Sequence, residues 1–207
     1  MDCLKIINCR KEHIPAAADI FCRAFADSIS MFAPDNPHIG EAVRDIFLLL
    51  HRSIGDGFLV AIDDEGTVQG YIVVTDNIRR LWKGAVLSGF LFRALYRWLT
   101  GCYGIGLASV LKIIHNKLCY MRFELGTKPA GQILSVAVNN DCRGRGTGKA
   151  LVDQGLELLR SMGAGAVKLE VRPENHAARR IYSGCGFVEK GRTRDLQGEW
   201  IIMQLDM

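Results

Sequence analysis

The spacing of apolar residues along the chain changes period several times, and each change marks an element. "CLKIINC" opens as a short apolar strand, and "KEHIPAAADIFCRAFADS" then sets Ile14, Ala18, Phe21, Cys22 and Phe25 along one helical face. After the loop "APDNPHIG", a second helix, "EAVRDIFLLLHRSIG", is expected to stop at Gly55. "GFLVAIDDEGTVQGYIVVT" reads as two strands folded about a turn at Asp63 to Gly66. The last third is as regular. It predicts a strand "ILSVAVNN", a helix from Gly146 to Met162, a strand "AVKLEVRP", a short helix "NHAARRIYSGCG" and a closing pair of strands, "GFVEKGR" and "EWIIMQLDM". Leu151, Gly155, Leu158, Leu159 and Met162 form the buried stripe of the longer helix. Mixed strands and helices, with no internal repeat and no low-complexity tract, predict one α/β domain over residues 1–207.

One region interrupts this rhythm. Between the hairpin and "ILSVAV" lies an insertion of about residues 77–131, closed by the breaker "KPAGQ". From Asn77 to Phe123 it has no Asp or Glu, yet it carries Arg79, Arg80, Lys83, Arg93, Arg97, Lys112, Lys117 and Arg122. The whole chain is at +4, so the remainder is net acidic. The insertion is also very apolar, but Arg93 and Arg97 cut it. Its longest uncharged run, Trp98 to Leu111, is shorter than the ~20 residues a spanning helix needs. Two readings are open: basic amphipathic helices over residues 79–117 that lie on an anionic membrane or cover a substrate, or a helical insertion packed on the core with its arginines in water. The basic residues alternate with aliphatic rather than planar side chains, which argues against nucleic acid as a partner.

Other bulk features narrow the class. The start, "MDCLKIINCRKEH", has charges and no long apolar run, so no secretory signal is read there and a cytoplasmic protein is expected, with peripheral membrane contact left open. The seven cysteines are odd in number and no two have Cys-x-x-Cys spacing, which fits reduced thiols better than disulfides or a metal site. No metal is expected. The assembly, monomer or homodimer, is not fixed by the sequence.

Candidate chemistry begins at "DCRGRGTGKALV". A glycine-rich turn after a strand exposes backbone N–H groups, and the helix that follows adds its free N-terminal N–H groups and positive dipole end. Phosphate or pyrophosphate suits such a place, and Arg143 and Arg145 add charge for it. Lys149 is followed by Ala150, so this is no Walker loop, and the spacing of "GRGTG" is not that of a dinucleotide fingerprint. A tight strand-to-helix connection with no ligand is the plain alternative.

The loop together with "VKLEVRPENHAARRIYSGCGFVEKGR" resembles the GNAT superfamily of acyl-CoA-dependent N-acetyltransferases. The loop is similar to that family's Arg/Gln-x-x-Gly-x-Gly/Ala motif at Arg143, Gly146 and Gly148. The later segment is similar to its Asn-x-x-Ala-x-x-x-Tyr-x-x-x-Gly-Phe motif at Asn175, Ala178, Tyr182, Gly186 and Phe187. The matching stretches cover roughly Ile133 to the C-terminus. The resemblance implies a mixed, mostly antiparallel sheet flanked by helices, with the insertion between the hairpin and the cofactor-binding strand. It also implies acetyl-CoA as co-substrate, with its pyrophosphate on Arg143, Gly144, Arg145, Gly146, Thr147, Gly148 and Lys149.

By the same resemblance, backbone groups of Val136, Ala137 and Val138 hold the pantetheine arm and polarise the thioester carbonyl, Asn175 contacts the coenzyme, and Tyr182 is the general acid toward the CoA sulfur. The plain alternatives are core strand residues, a helix N-cap at Asn175 and a core tyrosine. Alternation in "VKLEVRP" turns Lys168, Glu170 and Arg172 away from Val167, Leu169 and Val171. Glu170 resembles the base of the ribosomal-protein N-terminal acetyltransferases; Glu124 and His115 are second choices, and a solvated strand residue is the alternative for Glu170. The expected activity is acetyl transfer to a primary amine of a small molecule or peptide. The insertion departs from the family's smallest members and favours a phosphate-bearing acceptor, such as an amino sugar linked to a nucleotide or lipid. A non-catalytic acyl-CoA sensor or a membrane-surface adaptor are the other classes the sequence allows.

Overall fold

The computed structural model describes residues 4–113 and 131–207, leaving the Trp82 side chain aside. Its strands are β1 (Lys5–Asn8), β2 (Phe58–Ile62), β3 (Val68–Thr75), β4 (Gly131–Val138), β5 (Ala166–Val171), β6 (Val188–Asp195) and β7 (Gly198–Asp206). They form one sheet in the order β1-β2-β3-β4-β5-β7-β6. Neighbours run antiparallel except β4 and β5, which are parallel. The helices are α1 (Ile14–Ala24), α2 (Ala26–Phe32), α3 (Ile39–Ile54), α4 (Arg79–Leu87), α5 (Phe90–Leu99), α6 (Thr147–Ser161) and α7 (His176–Gly184); residues 107–113 are helical too.

Strand alternation divides the core in two. Phe58, Val60, Tyr71 and Val73 face α1 and α3, where Phe47 meets the rings of Phe58 and Tyr71 edge-on at 5.6 and 5.2 Å. Leu59, Ala61, Ile72 and Val74 face Leu151, Leu156 and Leu159 of α6. The stripe read for α6 is therefore its core side, with Val152 and Leu156 also buried and Leu158 and Met162 only partly covered. Gly155 sits in it because a Cβ there would come within 2.9 Å of Ile72 Cδ1 and 3.1 Å of Val74 Cγ1. The helix rides that close to β3.

Two boundaries differ from the pattern. The helix expected over residues 11–28 is three pieces: a 3-10 turn at Lys11–His13, then α1 and α2 with a break at Phe25, whose φ of −117° leaves the helical region. The breaker "KPAGQ" lies outside the described residues up to position 130, and its Gly131 begins β4. A Cβ on Gly131 would lie 2.9 Å from Leu159 Cδ2, so that glycine serves close packing of α6 on the sheet.

The insertion corrects a larger expectation. Its arginines do not all stand in water: Arg97 lies 2.9 Å from Glu41 Oε2 and 3.1 Å from Asp45 Oδ2, both on α3, and Arg93 lies 4.0 Å from Asp45. The buried Asp45 also accepts the Tyr103 hydroxyl at 2.6 Å. The helices α4 and α5 are joined through Gly89, at φ 67°, and Gly84 lets α4 approach Ser53 of α3, whose Oγ would lie 2.0 Å from an added Cβ. Among the described residues no helix is long and apolar enough to cross a membrane.

Candidate active site

The site is built where β4 leaves β5. The two strands pair only at Gly131 with Val167 and Gln132 with Lys168. Against β3, by contrast, β4 pairs along its length, with an irregularity that skips Leu134 between Ser135 and Ile133. A bulge bends and twists a strand. Beyond Gln132, alternate backbone groups of Ile133 to Val138 face a gap rather than a ladder, and Val136, Ala137 and Val138 lie in that stretch. Their side chains do belong to the core: Ala137 is buried against the α1 and α3 layer, and Val136 and Val138 pack on the α6 layer.

The chain then turns through a 3-10 turn, Asn140–Cys142, into the basic loop. Asn139 N–H donates to the Gln69 carbonyl at 2.8 Å, and the Cys142 thiol donates to the Gln69 side chain at 2.6 Å, which ties the loop's start to the β2–β3 hairpin. Gly144 and Gly146 have φ of 78° and 85°, conformations that side chains other than glycine take only with strain. Nothing lies within 4 Å of a Cβ built on either, so backbone angle, not crowding, demands the glycines. Thr147 is buried at the start of α6, while Arg143 and Arg145 are exposed. The first N–H groups of α6 open toward this loop. Gly148 has another duty: its Cα faces Ile181 of α7 and Val138 of β4, at 3.4 and 3.6 Å from an added Cβ. The Lys149 ammonium is turned along the helix to Asp153, at 2.6 Å, which raises its pKa; only its backbone remains with the loop.

Helix α7 carries the second set of residues. Asn175 is its N-cap, accepting from Ala178 N–H at 3.1 Å, so its carboxamide oxygen is committed and the amide nitrogen is the end that can meet a ligand. Tyr182 is buried, its ring edge-on to Phe187 at 5.9 Å, and its hydroxyl makes no hydrogen bond among the described residues. Burial, aided by the neighbouring Cys185, pushes its pKa up to about 12. The proton therefore stays on Tyr182 at neutral pH.

Glu170 lies where the alternation put it, opposite the buried Val167, Leu169 and Val171. Its side chain is 13% exposed, and Lys168 Nζ lies 3.6 Å from Oε1. Leu169, Val171 and Tyr182 share one core cluster, so Glu170 occupies the other face of the sheet. That face also holds a pair missed in the sequence reading, Tyr71 and Ser135, whose hydroxyls are 2.8 Å apart beside the bulge. A serine in an otherwise apolar strand was the available signal. Glu124 and His115 lie outside the described residues. Among the described residues, no group of three His, Cys, Asp or Glu could hold a metal ion, and Cys9, Cys22, Cys102, Cys142 and Cys185 are free thiols.

Known proteins agree with this architecture. PH1933 from Pyrococcus horikoshii superposes with a TM-score of 0.64 at 17% identity, covering 99% of this chain and 98% of that one. The protein yncA from Salmonella typhimurium, solved with its cofactor acetyl-CoA, superposes with a TM-score of 0.60 at 15% identity over 98% of this chain and 93% of its own. In sequence, a mycothiol acetyltransferase from Beutenbergia cavernae is 34% identical over 84 residues, 38% of this chain and 28% of that protein. Another, from Thermobispora bispora, is 44% identical over 80 residues, 39% of this chain and 27% of its own length. The chain thus spans under a third of these relatives. The acetyltransferase (GNAT) family matches residues 23–187, most of the chain. The splayed strand pair, the glycine loop and that match together give the conclusion: the chain belongs to the acetyltransferase (GNAT) family.

Proposed function

We propose that this acetyltransferase moves the acetyl group of acetyl-CoA onto a primary amine of a small molecule by direct attack on the thioester. The observation that carries the reading is the parting of β4 from β5 after Gln132, with the basic glycine loop at the far end of the parted strand. The pyrophosphate sits on the N–H groups of the loop and of the first turn of α6, with Arg143 beside it. The pantetheine arm runs along Val136 to Val138 and takes the place of a missing strand. A backbone N–H in the gap polarises the thioester carbonyl, where charge develops as the amine adds.

Two protons have to move. Glu170 takes the proton of the attacking amine, directly or through a water, on its face of the sheet. Tyr182, on the other, donates a hydrogen bond to the sulfur as the C–S bond breaks, leaving the amide and a thiolate held by the tyrosine. With the tyrosine near 12 and a thiol near ~8.5, complete transfer is uphill, so Tyr182 acts through a strong hydrogen bond to the departing sulfur until the base's proton arrives. The names of the mycothiol acetyltransferases support a small-molecule acceptor rather than a ribosomal protein. An amino sugar, free or phosphate-bearing, is the acceptor class to try first.

Thiol release from acetyl-CoA in the presence of an amino-sugar and amino-acid panel tests the reading. At least one amine should accelerate release, and Glu170→Gln should lower kcat while leaving acetyl-CoA affinity within about twofold. Release that no amine accelerates, with acetyl-CoA bound, would instead leave a sensor.

A further inference from the structure

Helix α5 is amphipathic in the reverse of the usual sense. Its charged side is the inner one: Arg93 and Arg97 face Asp45 and Glu41 of α3, and the Arg97 guanidinium stacks over the Tyr103 ring at 5.3 Å. Its outer side is apolar. Phe92 is 81% exposed, and Leu95, Tyr96 and Leu99, on the same helical side, stand in water with it; at the end of α4, Leu87 is 84% exposed and Val86 is exposed too. Soluble surfaces scatter such residues singly; a contiguous row marks a docking face.

The charges around the row say what docks there. Arg79, Lys83 and Leu87 recur at four-residue spacing on α4, one helical side, and both cations are exposed and make no ion pair among the described residues. No carboxylate occurs from Asn77 to Phe123. A second copy meeting this patch across a two-fold axis would set these cations among their own equivalents with no acid in the block to answer them. An acyl surface with anionic headgroups answers both features. We propose that the outer face of α4 and α5 docks on an anionic lipid bilayer, with Phe92, Leu87 and their neighbours in the interface and Arg79 and Lys83 against the headgroups. Tyr96 places its ring where amphipathic aromatics settle. The attachment is peripheral, and it does not depend on the enzymatic reading.

Co-sedimentation of the full chain with phosphatidylcholine vesicles, with and without phosphatidylserine, tests this. Binding should need phosphatidylserine and weaken with salt. Leu87→Ser with Phe92→Ser should lower partitioning at least about tenfold, and Arg79→Gln with Lys83→Gln about fivefold per charge. Both variants should keep the wild-type denaturation midpoint. Wild-type protein that ignores anionic vesicles, or apolar variants that bind them as well as wild type, would overturn the proposal. So would a dimer in sedimentation that Leu87→Ser with Phe92→Ser dissociates, which gives the face to a second copy. A fall in midpoint without vesicle binding would give it to the chain's own segments.

Discussion

In the loop between β4 and α6, Arg143 and Arg145 stand in water above a buried Thr147; in α5, Arg93 and Arg97 are turned toward α3 while Phe92 and Leu99 stand in water. Both regions are basic and both follow a strand. The loop spends backbone strain-free glycines to present N–H groups and cations with no protein partner for Arg143 among the described residues, which is how a protein keeps an anion site ready. Helix α5 matches its cations with Glu41 and Asp45 and so removes them from ligand chemistry. A run of positive charge is thus read by what faces it, not by its sum.

The sharpest test of that contrast is at Tyr182. Tyr182→Phe should lower kcat roughly a hundredfold or more, the usual size of one general-acid contribution, with acetyl-CoA affinity nearly unchanged in a titration. The same residue sets a pH dependence. Its folded pKa, about 12, lies above the ~10 of an unfolded tyrosine, so its contribution to stability is full below ~10 and is lost as pH rises through 12. The phenylalanine variant should therefore lose less stability over that alkaline range in denaturant melts.

Next in size is the inner side of the hairpin. Asp45→Ala strips Arg97, Arg93 and Tyr103 of a shared partner and should cost about 2–3 kcal/mol in denaturant unfolding, below the loss for a fully buried pair because Arg97 is partly exposed. Coenzyme affinity should stay the same. Arg143→Gln should do the reverse, weakening acetyl-CoA about tenfold with little change in stability, since it removes one charge-assisted contact to a phosphate. The smallest effect is expected at Lys149→Gln. Its pair with Asp153 is exposed and screened by solvent, so the midpoint of denaturant unfolding should not move measurably.

Much of the C-terminal half was legible because its signals are local. The period-two strands, the 3.6-period stripe on α6 and the left-handed glycines at 144 and 146 each depend on near neighbours, and the structure keeps them. The parting of β4 from β5 was not legible from spacing; it depends on which strands pair, and the bulge at Leu134 that accompanies it has no local mark. Only the resemblance pointed to it. The orientation of α5 had a signal that went unread. Glu41 and Asp45 are four apart on one helix, and Arg93 and Arg97 are four apart on another, so each pair shares a face. Matching them needs α5 docked on α3, which is tertiary information. Without it, the sequence left the arginines either against a membrane or substrate or in water, and neither reading turned them toward α3. The break between α1 and α2 at Phe25 was hidden too, since the apolar pattern continues across it.

Heat denaturation with and without acetyl-CoA tests the central claim, that the parted strand and glycine loop are a coenzyme site, most directly. At a hundred times Kd, a ligand of the folded state adds about 2.7 kcal/mol, which for a chain of this size is a rise of about 5–10 °C in midpoint. That rise, shrinking in Arg143→Gln at the same concentration, is the predicted result. An unchanged midpoint at saturating acetyl-CoA would contradict the account and leave the loop a turn.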